Sequence, residues 1–228
     1  MNVDIKNNLA LVRQRLENAC RKAGRSPESV LLLGVSKTHP AEALQMAYDC
    51  GLRDFGENYM QDWFSKKDYL PSDIRWHFIG HIQSNKAKKI AAAAHMLHSV
   101  DSLHLFEEIN RRAAEMSRIM PCLVEVNVGG EESKGGVEPD DLPELIESVS
   151  RMTNIDLHGL MSIPPFLDDA EEMRPFHATL RELRDKMKSV ADMELPELSM
   201  GMSFDMEVAI EEGATIVRVG TDIFGRRT

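Results

Sequence analysis

The amino-acid sequence predicts an α/β protein that forms a single (β/α)8 barrel of the TIM type, with an extra amino-terminal helix. Eight short apolar runs rich in β-branched residues occur along the chain, and segments with helical spacing of apolar residues separate them. Strands separated in this way are joined by crossover helices and form a parallel sheet. The length of 228 residues is close to the roughly 250 residues typical of a closed barrel. We therefore expect residues 1–228 to form one domain.

The extra helix is predicted at the start of the chain, where apolar residues recur at spacings of three and four. These residues are Ile5, Leu9, Val12, Leu16 and Ala19. The pattern is typical of an amphipathic helix, and Gly24 is expected to end it. Ser26-Pro27 then resembles a helix cap followed by a first-turn proline, which predicts a short helical turn before the first strand.

The eight strands are predicted from their apolar runs and from their position between helices. They are Val30–Lys37, Asp54–Asn58, Trp76–Gly80, Met96–Asp101, Cys122–Val128, Leu157–Ile163, Glu197–Ser203 and Ile216–Gly220. The second and third strands are assigned partly by position, since the second run alone would be a weak strand signal. One clear helical pattern between strands comprises Phe176, Leu180, Leu183, Met187 and Val190.

Composition and charge restrict the classes of partner. Lys and Arg number 27 and Asp and Glu number 37, which gives a formal charge of −10. Such a chain has no general attraction for nucleic acid or anionic lipid, because phosphate binding needs clustered Lys and Arg. Three scattered cysteines without CxxC spacing are typical of reduced thiols, and the sequence begins without the apolar segment of a signal peptide. We expect a cytoplasmic protein, a monomer, with no nucleic-acid or membrane partner.

The first candidate site residue is Lys37, in the tetrad Val35-Ser36-Lys37-Thr38 at the end of the first predicted strand. A lysine there points its amine into a pocket with apolar walls. Burial disfavours the ammonium form, so the amine becomes a nucleophile that can condense with an aldehyde. The alternative interpretation is a solvated or ion-paired lysine, which is the commoner role at a strand end.

Two turns after the last strands form a candidate phosphate site. Gly201-Met202-Ser203 and Gly220-Thr221 each combine a glycine, backbone N–H groups and a hydroxyl. Barrels of this type often bind phosphate after strands seven and eight. Each turn alone also has an ordinary structural interpretation, because small hydroxyl-bearing turns are common. Together with an aldehyde for Lys37, they predict a ligand that spans the barrel mouth, and pyridoxal 5′-phosphate (PLP) meets these requirements.

Arg218 precedes the second of these turns and is expected to point into the barrel mouth. An arginine that faces a pyridine nitrogen can only donate a hydrogen bond, because the guanidinium stays protonated. It would leave that nitrogen unprotonated and weaken the ring as an electron sink. The alternative for Arg218 is an ion pair with an acidic loop residue.

Other polar residues carry weaker predictions. His77 and His81 are four residues apart, but they span a strand end and a loop, so a metal pair is not expected. His95 and His98 are expected to pack or to form local hydrogen bonds. Lys134 lies in a glycine-rich loop after the fifth strand. A lid over the site or a plain surface loop would explain that segment, and the sequence favours the surface loop.

With these residues assembled, the sequence resembles the YggS/PROSC family of PLP homeostasis proteins from the first helix to the last strand. The matching segments are Val35-Ser36-Lys37-Thr38, Phe55-Gly56-Glu57-Asn58-Tyr59, Trp76-His77-Phe78-Ile79-Gly80 with Gln83, Asn85 and Lys86, Ser133-Lys134-Gly135, Gly159-Leu160-Met161-Ser162-Ile163-Pro164-Pro165, Leu198-Ser199-Met200-Gly201-Met202-Ser203 with Asp205, and Val217-Arg218-Val219-Gly220-Thr221 through Phe224-Gly225. So many matches in order make the resemblance specific.

The resemblance implies the barrel of the alanine-racemase amino-terminal domain, as in fold-type III PLP proteins. It implies that Lys37 carries the cofactor as an internal aldimine and that Arg218 faces the pyridine nitrogen. The residues implied for the phosphate are Ser203, Gly220 and Thr221, and Asn58 is implied for the cofactor's surroundings. His39 departs from the family, because some bacterial relatives carry a second lysine there. A neighbouring amine that transfers the cofactor is therefore not implied for this chain.

Three functions would use a strand-end lysine. Members of the family bind PLP without established turnover, which implies a non-catalytic carrier with PLP-dependent apo-enzymes as candidate recipients. A fold-type III amino-acid racemase or decarboxylase is the alternative. A racemase needs a second acid–base group, which alanine racemases supply with a tyrosine associated with an additional β-domain. The sequence ends shortly after the eighth strand, so no such domain is expected, and Tyr59 is the only tyrosine near a predicted strand end. A cofactor-free Schiff-base aldolase would not need the two hydroxyl turns.

Overall fold

Eight parallel strands form a closed barrel in the order of the chain. The computed structural model describes residues 3–131, 135–165, 167–191 and 193–226, so Lys134, for which the sequence favours a surface loop over a lid, lies outside the described residues. The strands are β1 Leu31–Val35, β2 Asp54–Glu57, β3 Arg75–Phe78, β4 Met96–Val100, β5 Met120–Glu125, β6 Ile155–Met161, β7 Glu197–Met202 and β8 Ile216–Val219. All eight predicted strands are present, and β8 pairs with β1 to close the sheet.

Helices connect the strands on the outside of the barrel. They are α1 Ile5–Lys22, α2 Ala41–Asp49, α3 Met60–Lys66, α4 Ala87–Ala93, α5 Leu103–Glu115, α6 Leu142–Val149, α7 Arg174–Ala191, α8 Met206–Glu211 and α9 Thr221–Phe224. Among the described helices, none combines the length and the apolar character that crossing a bilayer would require.

The extra helix α1 has the boundaries that its sequence predicts. The Asp4 side chain accepts a hydrogen bond from Asn7 N and caps the first turn. Gly24 follows the helix with φ +67°, a conformation that glycine adopts without steric cost. The Ser26 hydroxyl then caps a short 3-10 turn, Pro27–Ser29, as the Ser-Pro pair predicts.

The first strand is shorter than the sequence predicts. It ends at Val35, so Lys37 lies in the turn that follows rather than at the end of the strand itself. Ser36 N still donates to Gly56 O on β2, but Thr38 then adopts φ +67° and reverses the chain. The turn places Lys37 at the rim formed by the carboxyl ends of the strands, which we call the barrel mouth.

The core has two layers, as expected for a barrel surrounded by helices. The outer layer lies between strands and helices and includes the fully buried rings of Phe55, Trp63 and Phe106. The inner layer fills the barrel, and its apolar members are Leu33, Val35, Ile79, Met96, Leu123, Met161 and Ile216. The barrel interior is therefore packed, and its mouth is the place where a ligand can bind.

Candidate functional site

One cavity at the barrel mouth brings together all the residues that the sequence singled out for PLP. The cavity has a volume of about 260 Å³, and its lining includes Lys37, Asn58, Ser203, Arg218, Gly220 and Thr221. These residues come from the ends of β1, β2, β7 and β8, which converge because parallel strands place their carboxyl ends at one rim. The structure thus establishes their proximity, and their roles in binding stay predictions.

The turn that carries Lys37 is held by the buried ammonium of Lys66, at the end of α3. Lys66 Nζ donates to Ser36 O at 2.9 Å and to His39 O at 3.2 Å, the carbonyls on either side of Lys37 and Thr38. It also contacts the carboxylate of Asp62 at 3.1 Å. Asp62 in turn accepts from Thr38 N at 2.8 Å. Lys66 and Asp62 therefore fix the backbone on both sides of the candidate nucleophile.

Glu57 balances the buried charge of Lys66. Its Oε1 lies 2.8 Å from Lys66 Nζ and accepts from the Ser36 hydroxyl at 2.6 Å. Burial raises the pKa of Glu57, while Lys66 and the Ser36 hydroxyl act in the opposite direction. Its Oε2 is buried without a hydrogen-bond partner among the described residues. The geometry is that of a buried ion pair directly beneath the Lys37 turn.

Arg218 lies on β8 with only 4% of its surface exposed. Its Nη1 donates to Ser199 Oγ at 2.9 Å and its Nη2 donates to Ser162 O at 2.8 Å. Burial lowers the pKa of Arg218 to about 10, although Asp205 and Glu125 favour the charged form. The guanidinium is therefore still protonated at neutral pH. Two of its donors hold it against the barrel wall, and the remaining N–H groups are available to a ligand.

A chain of hydrogen bonds continues from Arg218 through the barrel interior. The Ser199 hydroxyl lies 2.9 Å from His98 Nδ1, and His98 Nε2 lies 2.9 Å from His77 Nδ1. His77 Nε2 then lies 3.1 Å from Asp54 Oδ1. These contacts allow every donor from Arg218 to His77 to point toward the Asp54 carboxylate when both imidazoles carry a proton on Nε2. We call this series the interior chain.

The histidines differ from their sequence predictions in one respect. His98 does form hydrogen bonds, but its partners lie on other strands, 21 and 101 residues away in sequence. His77 is buried in the interior chain, whereas His81 is largely exposed and lies beside Asp101. The His95 ring packs on the His77 ring with centroids 5.5 Å apart.

The two predicted phosphate turns lie side by side. Ser203 Oγ, in the first turn, accepts from the backbone N of Asp222, the residue that follows the second turn, at 3.4 Å. Gly201 has φ +84°, and a Cβ there would lie 2.4 Å from Ala209 Cβ. The turn is closed by Asp205, which accepts from Met202 N at 2.7 Å and lies 2.8 Å from His177 Nε2. We call Met202, Ser203, Gly220 and Thr221, all lining the cavity, the cradle.

A second cavity adjoins the first at the barrel mouth. It has a volume of about 410 Å³ and shares Asn58, Ile79 and Ile163 with the first cavity. Glu125 lines it, and burial together with the charge of Asp101 raises the pKa of Glu125 to about 6. The mouth therefore carries an acidic side opposite the cradle.

Comparison with known proteins identifies the family. The family described as alanine racemase, N-terminal domain, matches residues 5–228. A pyridoxal phosphate homeostasis protein of Aquifex aeolicus is 48% identical over 220 residues, which cover 96% of each chain. The protein of that name from Pseudomonas aeruginosa is 46% identical over 225 residues and covers 98% of this chain and 96% of its own length. The chain belongs to the pyridoxal phosphate homeostasis protein family.

Solved structures agree with this assignment. PipY of Synechococcus elongatus with PLP bound is 37% identical, has a TM-score of 0.86, and covers 97% of this chain and 100% of its own. An alanine racemase of Clostridium difficile has a TM-score of 0.77 at 14% identity, and the match covers 98% of this chain and 57% of the racemase. That second likeness shows a shared fold alone. The resemblance to homeostasis proteins and the predicted (β/α)8 barrel are thus confirmed.

Sequence reasoning missed Lys66 and Ser199, although both support site residues. Lys66 stands in Phe64-Ser65-Lys66-Lys67, which gives no local sign that one lysine is buried and the other is not. Ser199 carried a usable signal, because side chains of a strand alternate and Gly201, two residues on, belongs to the same face. Its partner on β8 could not be assigned without the register of the sheet.

Proposed function

We propose that this protein binds PLP as a Schiff base on Lys37 and acts as a non-catalytic carrier or buffer of PLP in intracellular vitamin B6 homeostasis. The observation that carries the proposal is the single cavity with Lys37, the cradle and Arg218 in its walls. An aldehyde, a phosphate and a ring nitrogen are the features of PLP that these groups complement. The name of the relatives and the PLP bound to PipY support the same ligand.

The residues present fit the cofactor. Asn58 Oδ1 is buried without a partner among the described residues and lines the cavity. A hydroxyl on the ligand ring would satisfy it. Gly220 passes so close to β1 that a Cβ would lie 3.1 Å from Val35 O, so glycine keeps this side of the cradle open. The donors of the cradle and of Arg218 suit an anion and an aromatic nitrogen, respectively.

The covalent step needs only the amine of Lys37. Its neutral Nζ would supply the nucleophile for a C=N bond with the aldehyde carbon, and the aldehyde oxygen would leave as water with the two protons of the amine. The turn held by Lys66 fixes the backbone from which Nζ reaches into the cavity. Because the nucleophile is already placed, binding and condensation require little rearrangement of the protein.

The tyrosines favour a carrier over an enzyme, and Arg218 adds only a small argument, because racemases of this fold type share such an arginine. A guanidinium at the ring nitrogen donates a hydrogen bond but leaves the nitrogen unprotonated, which weakens the electron withdrawal on which amino-acid chemistry depends. The described lining of the cavity includes no tyrosine that could act as the second acid–base group of a racemase. Tyr48 instead donates to Asp73 at 2.7 Å, and Tyr69 is 81% exposed. An amino-acid racemase or decarboxylase is the alternative function.

Trapping with borohydride tests the assignment of Lys37. The wild-type chain incubated with PLP and reduced should gain the mass of one reduced adduct, whereas Lys37→Ala should gain none. Lys67→Ala is the matched control, since Lys67 is a more exposed lysine that pairs with Asp68, and it should retain the adduct. An adduct that persists in Lys37→Ala would refute the site.

An assay for amino-acid turnover separates the carrier from the enzyme. We expect no racemisation of alanine or serine above the level of PLP free in solution, because the cavity offers no second acid–base group among its described residues. Chiral chromatography after long incubation at high protein concentration measures this. Turnover at ordinary enzyme rates, on the order of 1 s⁻¹ or more, would favour an amino-acid racemase over a carrier.

The proposal extends to location and partners. A cytoplasmic monomer that exchanges PLP with dependent apo-enzymes accords with the formal charge of −10 and with free cysteines, of which Cys20 and Cys122 are buried. Burial raises the pKa of Cys122, so this thiol is protected from oxidation. Size-exclusion chromatography measures the oligomeric state. Recovery of activity by a PLP-dependent apo-enzyme mixed with the loaded protein measures exchange.

A further inference from the structure

The extra helix α1 reaches the cradle from outside the barrel. Arg15, in the middle of this helix, donates through Nη2 to Ser203 O at 2.9 Å. Its Nε donates to Glu207 Oε1 at 2.6 Å, and its Nη1 pairs with Asp222. One guanidinium thus contacts the turn after β7, helix α8 that follows that turn, and helix α9 that follows β8.

A second side chain of α1 strengthens the contact with the end of the chain. Asn8 Nδ2 donates to Ile223 O at 3.1 Å, in the short helix α9 that carries Thr221. Helix α1 is therefore bonded to Ser203 on one side of the cradle and to Asp222 and Ile223, which follow Thr221, on the other side. Arg15 contacts both sides. The direct hydrogen bond between the two sides, from Asp222 N to Ser203 Oγ, is longer at 3.4 Å.

Arg15 also balances charge next to the cradle. Glu207 and Asp222 lie in the first turns of α8 and α9, and both carboxylates are paired with Arg15. A phosphate bound in the cradle would be repelled by these carboxylates if they were left uncompensated. Charge-assisted hydrogen bonds to a planar guanidinium hold both carboxylates at a fixed geometry and offset one of their two negative charges.

We propose that Arg15 is a positioning residue of the phosphate cradle and that α1 is thereby part of the PLP site. This inference rests on the proposed function, because it needs the phosphate of PLP to occupy the cradle. Arg15 sets the distance between the Ser203 and Thr221 turns and offsets one of the two negative charges beside them. It contributes to the affinity for the phosphate group and not to the reaction at Lys37.

A comparison of PLP with pyridoxal, which has the aldehyde but no phosphate, tests the proposal. Dissociation constants of both ligands are measured by absorbance titration of the full chain. Arg15→Met should weaken PLP binding about tenfold, a loss of about 1.4 kcal/mol, and change pyridoxal binding by less than about twofold. Arg13→Met is the matched control on the same helix, because Arg13 donates instead to Cys50 O at 2.8 Å. Arg13→Met should leave the ratio of the dissociation constants of PLP and pyridoxal unchanged.

The possible results distinguish a failure of the role proposed for Arg15 from a failure of the phosphate site itself. A wild-type chain that binds PLP no better than pyridoxal would refute the phosphate site itself. A wild-type preference that persists in Arg15→Met, or an equal loss for both ligands, would overturn the role of Arg15 alone. Arg15→Lys keeps the charge but replaces the planar fork of donors by a single compact ammonium, so its preference for PLP should be intermediate. If Arg15→Met does not fold, an unchanged ratio in Arg15→Lys overturns the proposal.

Discussion

Lys66 illustrates at the scale of the residue how a group outside the cavity controls one inside it. Its ammonium is buried, with 5% of the side chain exposed, and it bonds to the carbonyls of Ser36 and His39. Those carbonyls bracket Lys37 and the left-handed Thr38. Lys66 therefore holds the turn in place through these hydrogen bonds. The neighbouring Lys67 is more exposed and pairs with Asp68 instead.

We expect Lys66→Met to slow the formation of the trapped adduct at Lys37 by about tenfold or more, because a misplaced nucleophile reacts far more slowly. The same variant leaves Glu57 buried and unpaired, which should lower the free energy of unfolding by about 3 kcal/mol. Stopped-flow absorbance with PLP measures the rate, and urea unfolding measures the stability.

Lys67→Met is the control for this prediction. Lys67 pairs with Asp68 near the surface, and such pairs contribute little to stability. Both the rate and the stability should therefore remain near wild type. If Lys66→Met lost stability but formed the adduct at the wild-type rate, Lys66 would support the fold without positioning Lys37.

At the scale of the element, β6 depends on one glycine at its contact with β7. Gly159 has φ +155°, and a Cβ there would lie 1.9 Å from Glu197 O. The register between β5 and β6 also shifts beside it, between Cys122 and Leu123. The close approach of the two strands and the irregular register both require a residue without a side chain at this position.

Gly159→Ala should therefore lower the free energy of unfolding by about 3 kcal/mol, because the backbone of β7 cannot move away without breaking the sheet. Gly24→Ala is the comparison, since Gly24 also has a positive φ but no atom lies within 4 Å of its Cβ position. Gly24→Ala should lower the free energy of unfolding by about 1 kcal/mol, because only its backbone conformation is unfavourable for alanine. Urea unfolding of both variants measures the difference, and equal losses would contradict the steric argument.

The elements were more predictable than the contacts that join them. Helix α1 and six of the strands follow from apolar patterns, which are a local property of the chain, whereas β2 and β3 were assigned partly by their position. The residues of the cavity were predicted because they lie at or just after the ends of strands. The support for those residues comes from distant segments, as when Arg15 on α1 bonds to Ser203, 188 residues away. No local pattern marks such a pair, because it depends on how the barrel closes.

At the scale of the whole molecule, the interior chain connects the two ends of the barrel. It begins at Asp54, which pairs with the more exposed Arg75 at the start of β3, and it ends at Arg218 near the mouth. Its members belong to different strands, β2, β3, β4, β7 and β8, so only the closed barrel assembles it. His98 is fully buried in the middle, and burial disfavours the charged form of its imidazole.

The interior chain predicts how stability depends on pH. Burial, which is the largest cause, and the neighbouring His77 and Arg218 lower the pKa of His98 well below its usual value of 6.5, so the folded protein binds fewer protons there than the unfolded chain. The stability that the neutral imidazole of His98 contributes is fully present above pH 6.5, and it is lost as the pH falls below that value. We expect the free energy of unfolding to fall by up to about 1.4 kcal/mol per pH unit for this group.

Urea unfolding between about pH 7.5 and pH 5.5 tests this, with His98→Asn as the informative variant. The variant should be less stable at every pH, but its stability should depend less on pH than that of the wild type, because the buried imidazole is gone. His95, whose pKa is lowered by burial, and Glu125 titrate in both proteins and cancel in the difference. His104→Asn, at an exposed position, should keep the wild-type slope. An equal slope in His98→Asn would mean that the interior chain accepts a proton while the barrel stays folded.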